Sequence, residues 1–157
     1  MKFIHITDTH LVEPGQRLYG LDPLERLELC IESVNREHGD AAFAIVTGDL
    51  AHAGQMPAYH ALKACFAKLK LKTHFLLGNH DDRTQFLSVF ADAPRDANGF
   101  VQYSFDTELG RFICLDTHEP KVPWGLLCER RLAWLGTELE RAAATPVYLF
   151  KIGRAHV

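Results

Sequence analysis

No stretch of this 157-residue chain stays apolar for the roughly 20 residues that a membrane-spanning helix needs. A membrane is therefore not expected as a partner. A secretion leader is not expected either, because Met1-Lys2 is followed by only a short apolar run before Asp8. Cationic excess is also missing. Lys and Arg number 17 against 20 Asp and Glu, a net charge of −3. That gives no basic field to hold a nucleic acid polymer. Cys30, Cys65, Cys114 and Cys128 stand far apart with no C-x-x-C pair. They read as buried thiols in a reducing compartment, so the expected location is cytoplasmic. No G-x-G-x-x-G follows the first apolar run, which argues against a plain dinucleotide-binding fold. Repeats, low-complexity segments and linkers are absent too, so residues 1–150 read as one domain with ordinary globular composition.

What the chain does have is three apolar runs that each stop at ligand-type residues. Lys2–Thr7 runs into Asp8-Thr9-His10, and Ala42–Thr47 runs into Gly48-Asp49. Thr73–Leu77 runs into Gly78-Asn79-His80-Asp81. Residues i and i+2 at a strand end leave the same side of the backbone, so Asp8 and His10 can converge on one point. His5, inside the first run, reads as a core histidine with its hydrogen bonds satisfied. His52, in the loop after Asp49, is placed to touch a substrate, but the favoured reading is a solvated loop histidine.

Between the runs lie helices. Asp22-Pro23 supplies an N-cap and a first-turn proline, with Leu24, Leu27, Ile31 and Val34 at helical spacing up to Gly39. Pro57–Leu71 is expected to be helical, with Lys63, Lys68, Lys70 and Lys72 forming a solvated face. A short helix is expected over Thr84–Phe90. This β-α-β-α-β-α order predicts an α/β fold with a parallel sheet, right-handed crossovers and helices on its faces. Sites in such sheets form at the carboxyl ends of the strands. Asp8, His10, Asp49, Asn79 and His80 are thereby placed on one edge. The pattern then changes to a hairpin, Gly99–Asp106 and Arg111–Asp116 around a four-residue loop. A helix over Glu129–Ala143 follows, with Leu132, Leu135 and Leu139 as its apolar face, and then a strand at Pro146–Phe150.

Two aspartates, a histidine and an asparagine on one edge suit a divalent ion such as Mn, Fe or Zn. A carboxylate such as Asp49 can bridge two ions, and paired ions suit in-line attack on phosphorus. His80 is placed to protonate a leaving alkoxide or hold a phosphoryl oxygen, and Asp81 to fix its tautomer.

Asp8-x-His10, Gly48-Asp49 and Gly78-Asn79-His80-Asp81, in this order and spacing, resemble the calcineurin-like metallophosphoesterases. Thr47-Gly48-Asp49-Leu50, Asp81-Asp82-Arg83, Leu115-Asp116-Thr117 and the Trp134-Leu135 helix resemble the bacterial class III cyclic-nucleotide phosphodiesterases. The Leu18-Tyr19-Gly20 loop and Asp81-Asp82 are similar to the related glycerophosphodiesterases, the closest enzymatic rival. A non-catalytic metallophosphoesterase-like scaffold that binds protein partners is the alternative of another class, and the intact Asp8, His10, Asp49, Asn79 and His80 argue against it. The resemblance implies a four-layer αββα sandwich, of which this is the N-terminal part. It implies two divalent metal ions, with iron or manganese favoured and zinc an alternative. Asp8 and His10 would bind the first, Asp49 would bridge, and Asn79 would bind the second. His80 would meet the scissile phosphate of a small-molecule phosphodiester, and Arg83 would contact substrate. The full-length form is open to homodimerisation.

One part of the family pattern is not matched. A His-His-Pro-Pro-like segment should follow the Pro146–Phe150 strand, and a G-H-x-H segment should come later. Here Lys151-Ile152-Gly153-Arg154-Ala155-His156-Val157 follows instead. Its last six residues read as the in-frame translation of a short-read sequencing adapter, ATC-GGA-AGA-GCA-CAC-GTC. The expectation is that 151–157 is a non-native tail and that the second metal position is incomplete. This chain would then bind a second ion weakly and turn over little. A second sheet left unfinished would also expose an edge and apolar faces.

Overall fold

The computed structural model describes residues 1–152. Its elements run β1 (Ile4–Ile6), α1 (Pro23–Glu37), β2 (Ala44–Thr47), α2 (Met56–Phe66) and β3 (Thr73–Leu76), then α3 (Arg83–Val89). They continue with β4 (Tyr103–Thr107), β5 (Gly110–Cys114), α4 (Glu129–Ala142) and β6 (Val147–Phe150). The adapter-like run falls mostly on 153–157, outside the described residues.

β1, β2 and β3 form a parallel sheet in that order. β4 pairs antiparallel with β5, and β6 lies parallel on the other side of β5. The two-residue periodicity of the strands sorts their side chains into layers. Ala44 and Val46 join Leu27, Ile31, Leu62 and Phe86 under the first three helices. Phe43 and Ile45 face the other way and meet Leu76, Phe112 and Cys114 between the sheets. Ile113 and Leu115 of the second sheet pack on Leu135, with Trp134 beside them. The order is helices, sheet, sheet, helix, as the αββα resemblance implies. The alternation rule alone put helices on both faces of the first sheet. All three lie on one face because the second sheet occupies the other.

The helix signals hold at their starts. The Asp22 carboxylate accepts from the amides of Leu24 at 3.0 Å and Glu25 at 3.2 Å. The Asp82 carboxylate caps α3 through the Gln85 amide at 2.9 Å. Three local readings are corrected. The hairpin loop is two residues, Glu108-Leu109, because Thr107 still pairs with Gly110. α2 stops at Phe66, short of Leu71. In α4, Leu132 and Leu139 are exposed, and the buried residues are Arg131, Leu135, Glu138 and Ala142. The rotation follows the charges. Glu138 accepts from the Ser104 hydroxyl of β4 at 2.5 Å, with Arg111 of β5 beside it at 3.4 Å. Arg131 donates to the carbonyls of Leu126 and His118 at 2.8 and 2.9 Å and covers the Phe100 ring.

His5 is not a core residue. It is exposed at β1 and shares a 2.7 Å hydrogen bond with the Thr47 hydroxyl. The core histidine is His74, sandwiched between the sheets with its ring 3.9 Å from that of Phe105. Burial holds its pKa down at about 4. Cys65 and Cys114 are buried, Cys30 and Cys128 half-buried, and all are free thiols. Among the described residues β6 is an edge strand, and Val147, Tyr148 and Leu149 on it are exposed. No helix among the described residues is long and apolar enough to cross a membrane.

Candidate metal centre

The site is assembled where β1, β2 and β3 end. Two glycines let the last two strands touch there. Gly48 has a φ of +92°. A Cβ on Gly78 would lie 2.1 Å from both the amide nitrogen and Oδ1 of Asp49. With no Cβ there, the Asp49 carboxylate passes over Gly78, where the His80 amide donates to it at 3.1 Å.

The loops after β1 and β2 are zipped together by backbone. The Asp8 amide donates to Gly48, that of His10 to Asp49 and that of Leu11 to Leu50. The His52 amide returns to Leu11 at 2.8 Å. Asp8, His10 and Asp49 all take positive φ, at 56°, 42° and 47°. Non-glycine residues rarely accept this conformation, and it gathers at functional sites. His10 Nε2 lies 3.7 Å from Asp8 Oδ1 and 3.6 Å from Asp49 Oδ2. Those separations are too long for hydrogen bonds and suit three donors facing a common point. The ligand atoms of Asp8, His10 and Asp49 all lie within 4.8 Å of one another. Two carboxylate oxygens and one imidazole fit a divalent ion of the Mn, Fe or Zn kind. Burial lowers the His10 pKa, partly opposed by Asp49, which keeps the ring in the neutral form a ligand needs.

The expected edge is thus real, with a changed local reason. Asp8 and His10 converge through left-handed backbone beyond the end of β1, not through extended strand. Asn79 sits half-buried at the exit of β3, between Gly78 and His80.

Two role expectations need correcting. Asp81 does not orient His80. Its carboxylate is buried and fully engaged elsewhere. It accepts from the amides of Leu50, Ala51 and Gly78 at 3.1, 2.9 and 2.7 Å and from the Tyr59 hydroxyl at 2.9 Å. It ties the end of β2 to the end of β3. Burial still pushes its pKa up to about 6, against the downward pull of those donors. Arg83 is likewise spent on structure. Its guanidinium forks onto Asp116 at 2.7 and 2.8 Å and reaches the His118 carbonyl at 2.8 Å. It anchors the loop after β5.

The residue missed in the sequence is His52. It is half-buried, its ring stacks on His80 at 5.2 Å, and its Nδ1 lies 3.4 Å from Nδ1 of His10. Its carbonyl contacts His80 Nδ1 at 2.8 Å. A carbonyl can only accept, so Nδ1 of His80 carries the proton and Nε2 keeps the lone pair in the neutral ring. The signal was available: His52 follows Asp49 by three residues, in a loop leaving the same sheet edge.

Beside the carboxylates opens a cavity of about 530 Å³, lined among others by Asp8, His10, Tyr19, Arg26, His52 and His80. Tyr19 also has a positive φ, 49°, and is 90% exposed at its rim.

The chain is 49% identical to a probable cyclic nucleotide phosphodiesterase of Rhodopseudomonas palustris over 154 residues, 96% of this chain and 56% of that protein. It is 33% identical to a cAMP/cGMP dual specificity phosphodiesterase of Mycobacterium tuberculosis, over 91% of this chain and 45% of that protein. It is 27% identical to a glycerophosphodiester phosphodiesterase of Enterobacter lignolyticus, over 96% of this chain and 55% of that protein. The chain thus spans about half the length of the curated relatives it matches. The match to calcineurin-like phosphoesterase covers residues 1–138, all three motif-bearing strand ends included, and the chain belongs to that family.

Proposed function

We propose that this chain carries the metal-binding part of a phosphodiester hydrolase acting on a 3′,5′-cyclic nucleotide. The observation that supports it most is the convergence of Asp8, His10 and Asp49 beside His80, all on one strand-end edge with a cavity next to them. Asp8, His10 and Asp49 would hold one divalent ion. Asn79 and the shared Asp49 would offer a second, weaker position. Iron or manganese suits the oxygen-rich set, and zinc is the alternative. Bound there, the metal supplies positive charge for phosphoryl oxygens and an activated water at neutral pH.

The chain's own groups do the rest. Gly48 and Gly78 hold the Asp49 carboxylate in place. The His52 carbonyl fixes the His80 tautomer, so that Nε2 of His80 is the atom presented to the diester. Protonated, Nε2 donates to the leaving oxygen. Neutral, it accepts from the attacking water. The cavity beside them offers mostly apolar walls and the exposed Tyr19 ring to the part of the substrate that does not react.

A glycerophosphodiester is the second reading. It is favoured by the Leu18-Tyr19-Gly20 turn and by the relatives named for that substrate. The complete gene product, assayed with Mn²⁺, should hydrolyse cyclic AMP at least tenfold faster than glycerophosphocholine. The reverse ratio would move the assignment to the second reading. No hydrolysis of either, nor of bis-p-nitrophenyl phosphate, would sink the hydrolase reading altogether.

A further inference from the structure

Three imidazoles meet at this site, and the carboxylate centre uses only one of them. His10, His52 and His80 each offer a ring nitrogen, and these nitrogens all lie within 4.8 Å of one another. The Nδ1 atoms of His10 and His52 share a 3.4 Å hydrogen bond, whose proton a bound ion would displace. Two nitrogens of a tetrahedral zinc site with Zn–N of about 2.0–2.1 Å stand about 3.3–3.4 Å apart. His80 already has the arrangement of a metal-ligating histidine. One ring nitrogen donates to a backbone carbonyl, and the other is left with its lone pair free. The His52 ring stacks on it at an interplanar angle of 24°, so the pair is held as a unit.

We infer that His10, His52 and His80 form a second, nitrogen-rich metal site that takes Zn²⁺ and competes with the Asp8–His10–Asp49 site.

The competition follows from His10. It faces the carboxylates through Nε2 and faces His52 through Nδ1. A neutral imidazole has one lone pair, so it serves one ion at a time. Hard ions such as Mn²⁺ favour the carboxylate side. Zn²⁺, a borderline ion well suited to imidazole, favours the three nitrogens. The fourth tetrahedral position stays open. On the proposed function, zinc at this place would also take Nε2 of His80 away from the diester and arrest turnover. The binding itself does not rest on that reading.

The test is zinc binding without turnover. Asp8→Asn weakens the carboxylate site and leaves the three rings. Zinc titration of metal-free Asp8→Asn should give one ion per chain. Adding His52→Ala to that background should weaken zinc at least 30-fold, and His52→Gln, which fills more of the ring's space, should do the same. Circular dichroism on each variant reports whether the fold is kept. X-ray absorption on zinc-loaded Asp8→Asn should show about three imidazoles. Unchanged zinc affinity on loss of His52 in a folded variant would overturn the inference. So would a zinc shell with one imidazole and otherwise oxygen. Since hydrolysis is not the readout, this result stands or falls apart from the phosphodiesterase assay.

Discussion

Asp81→Asn should destabilise the chain by about 1–3 kcal/mol although it changes a single heavy atom. One carboxylate oxygen takes the Leu50 and Gly78 amides, and the other takes the Ala51 amide and the Tyr59 hydroxyl. An asparagine keeps one of these oxygens and replaces the other with a donor. With the N–H₂ in the place of Oδ2, the Leu50 and Gly78 amides lose their acceptor; with it in the place of Oδ1, the Ala51 amide does, while the Tyr59 hydroxyl can turn and accept. Each orphaned buried donor costs about 1–3 kcal/mol. Tyr59→Phe probes the same knot more gently. It removes one donor to Asp81 and the 2.8 Å acceptor of the Asp82 amide, and should cost about 1–2 kcal/mol. Urea unfolding at pH 7 reads both. A loss under about 1 kcal/mol for Asp81→Asn would mean that the knot is not holding the two strand ends together.

Gly78→Ala should be at least as damaging, for a steric reason. The new Cβ would sit 2.1 Å from the backbone nitrogen and Oδ1 of Asp49, so either β3 or the Asp49 turn must move. Overpacking against backbone costs about 3 kcal/mol or more, and what moves here is the proposed metal ligand. The same substitution at Gly136, on α4, meets nothing within 4 Å. There it should stabilise by roughly 0.5–1 kcal/mol, through helix propensity. Urea unfolding of the two variants side by side separates a general alanine effect from a local collision. Gly78→Ala as stable as the parent would contradict the close passage of Asp49.

The strand-end site was legible because its signals are local. An apolar run that stops at Asp8, Asp49 or Asn79 marks both a strand and its exit, and parallel topology collects the exits on one edge. The partners inside the site were not legible. Whether Asp81 turns toward His80 or toward the end of β2 depends on donors at Leu50, Ala51 and Tyr59, 31, 30 and 22 residues away. His80 finds its acceptor in the carbonyl of His52, and every residue has a carbonyl, so no side-chain pattern announces it. Arg83 follows the site motif directly and invited a substrate role, yet Asp116, 33 residues on, takes its fork. The α4 face failed similarly. Its leucines at 132, 135 and 139 form a helical stripe, but the pairing of Glu138 with Ser104 and Arg111 turns the helix so that only Leu135 is buried.

The central claim is that Asp8, His10 and Asp49 form a metal site in this chain. Manganese binding followed by electron paramagnetic resonance tests it most directly. The parent chain should hold one Mn²⁺ firmly. His10→Ala and Asp49→Asn should each weaken it at least 100-fold, while His52→Ala should leave it within a few-fold. Mn²⁺ held as tightly by a folded Asp49→Asn variant as by the parent would contradict the account.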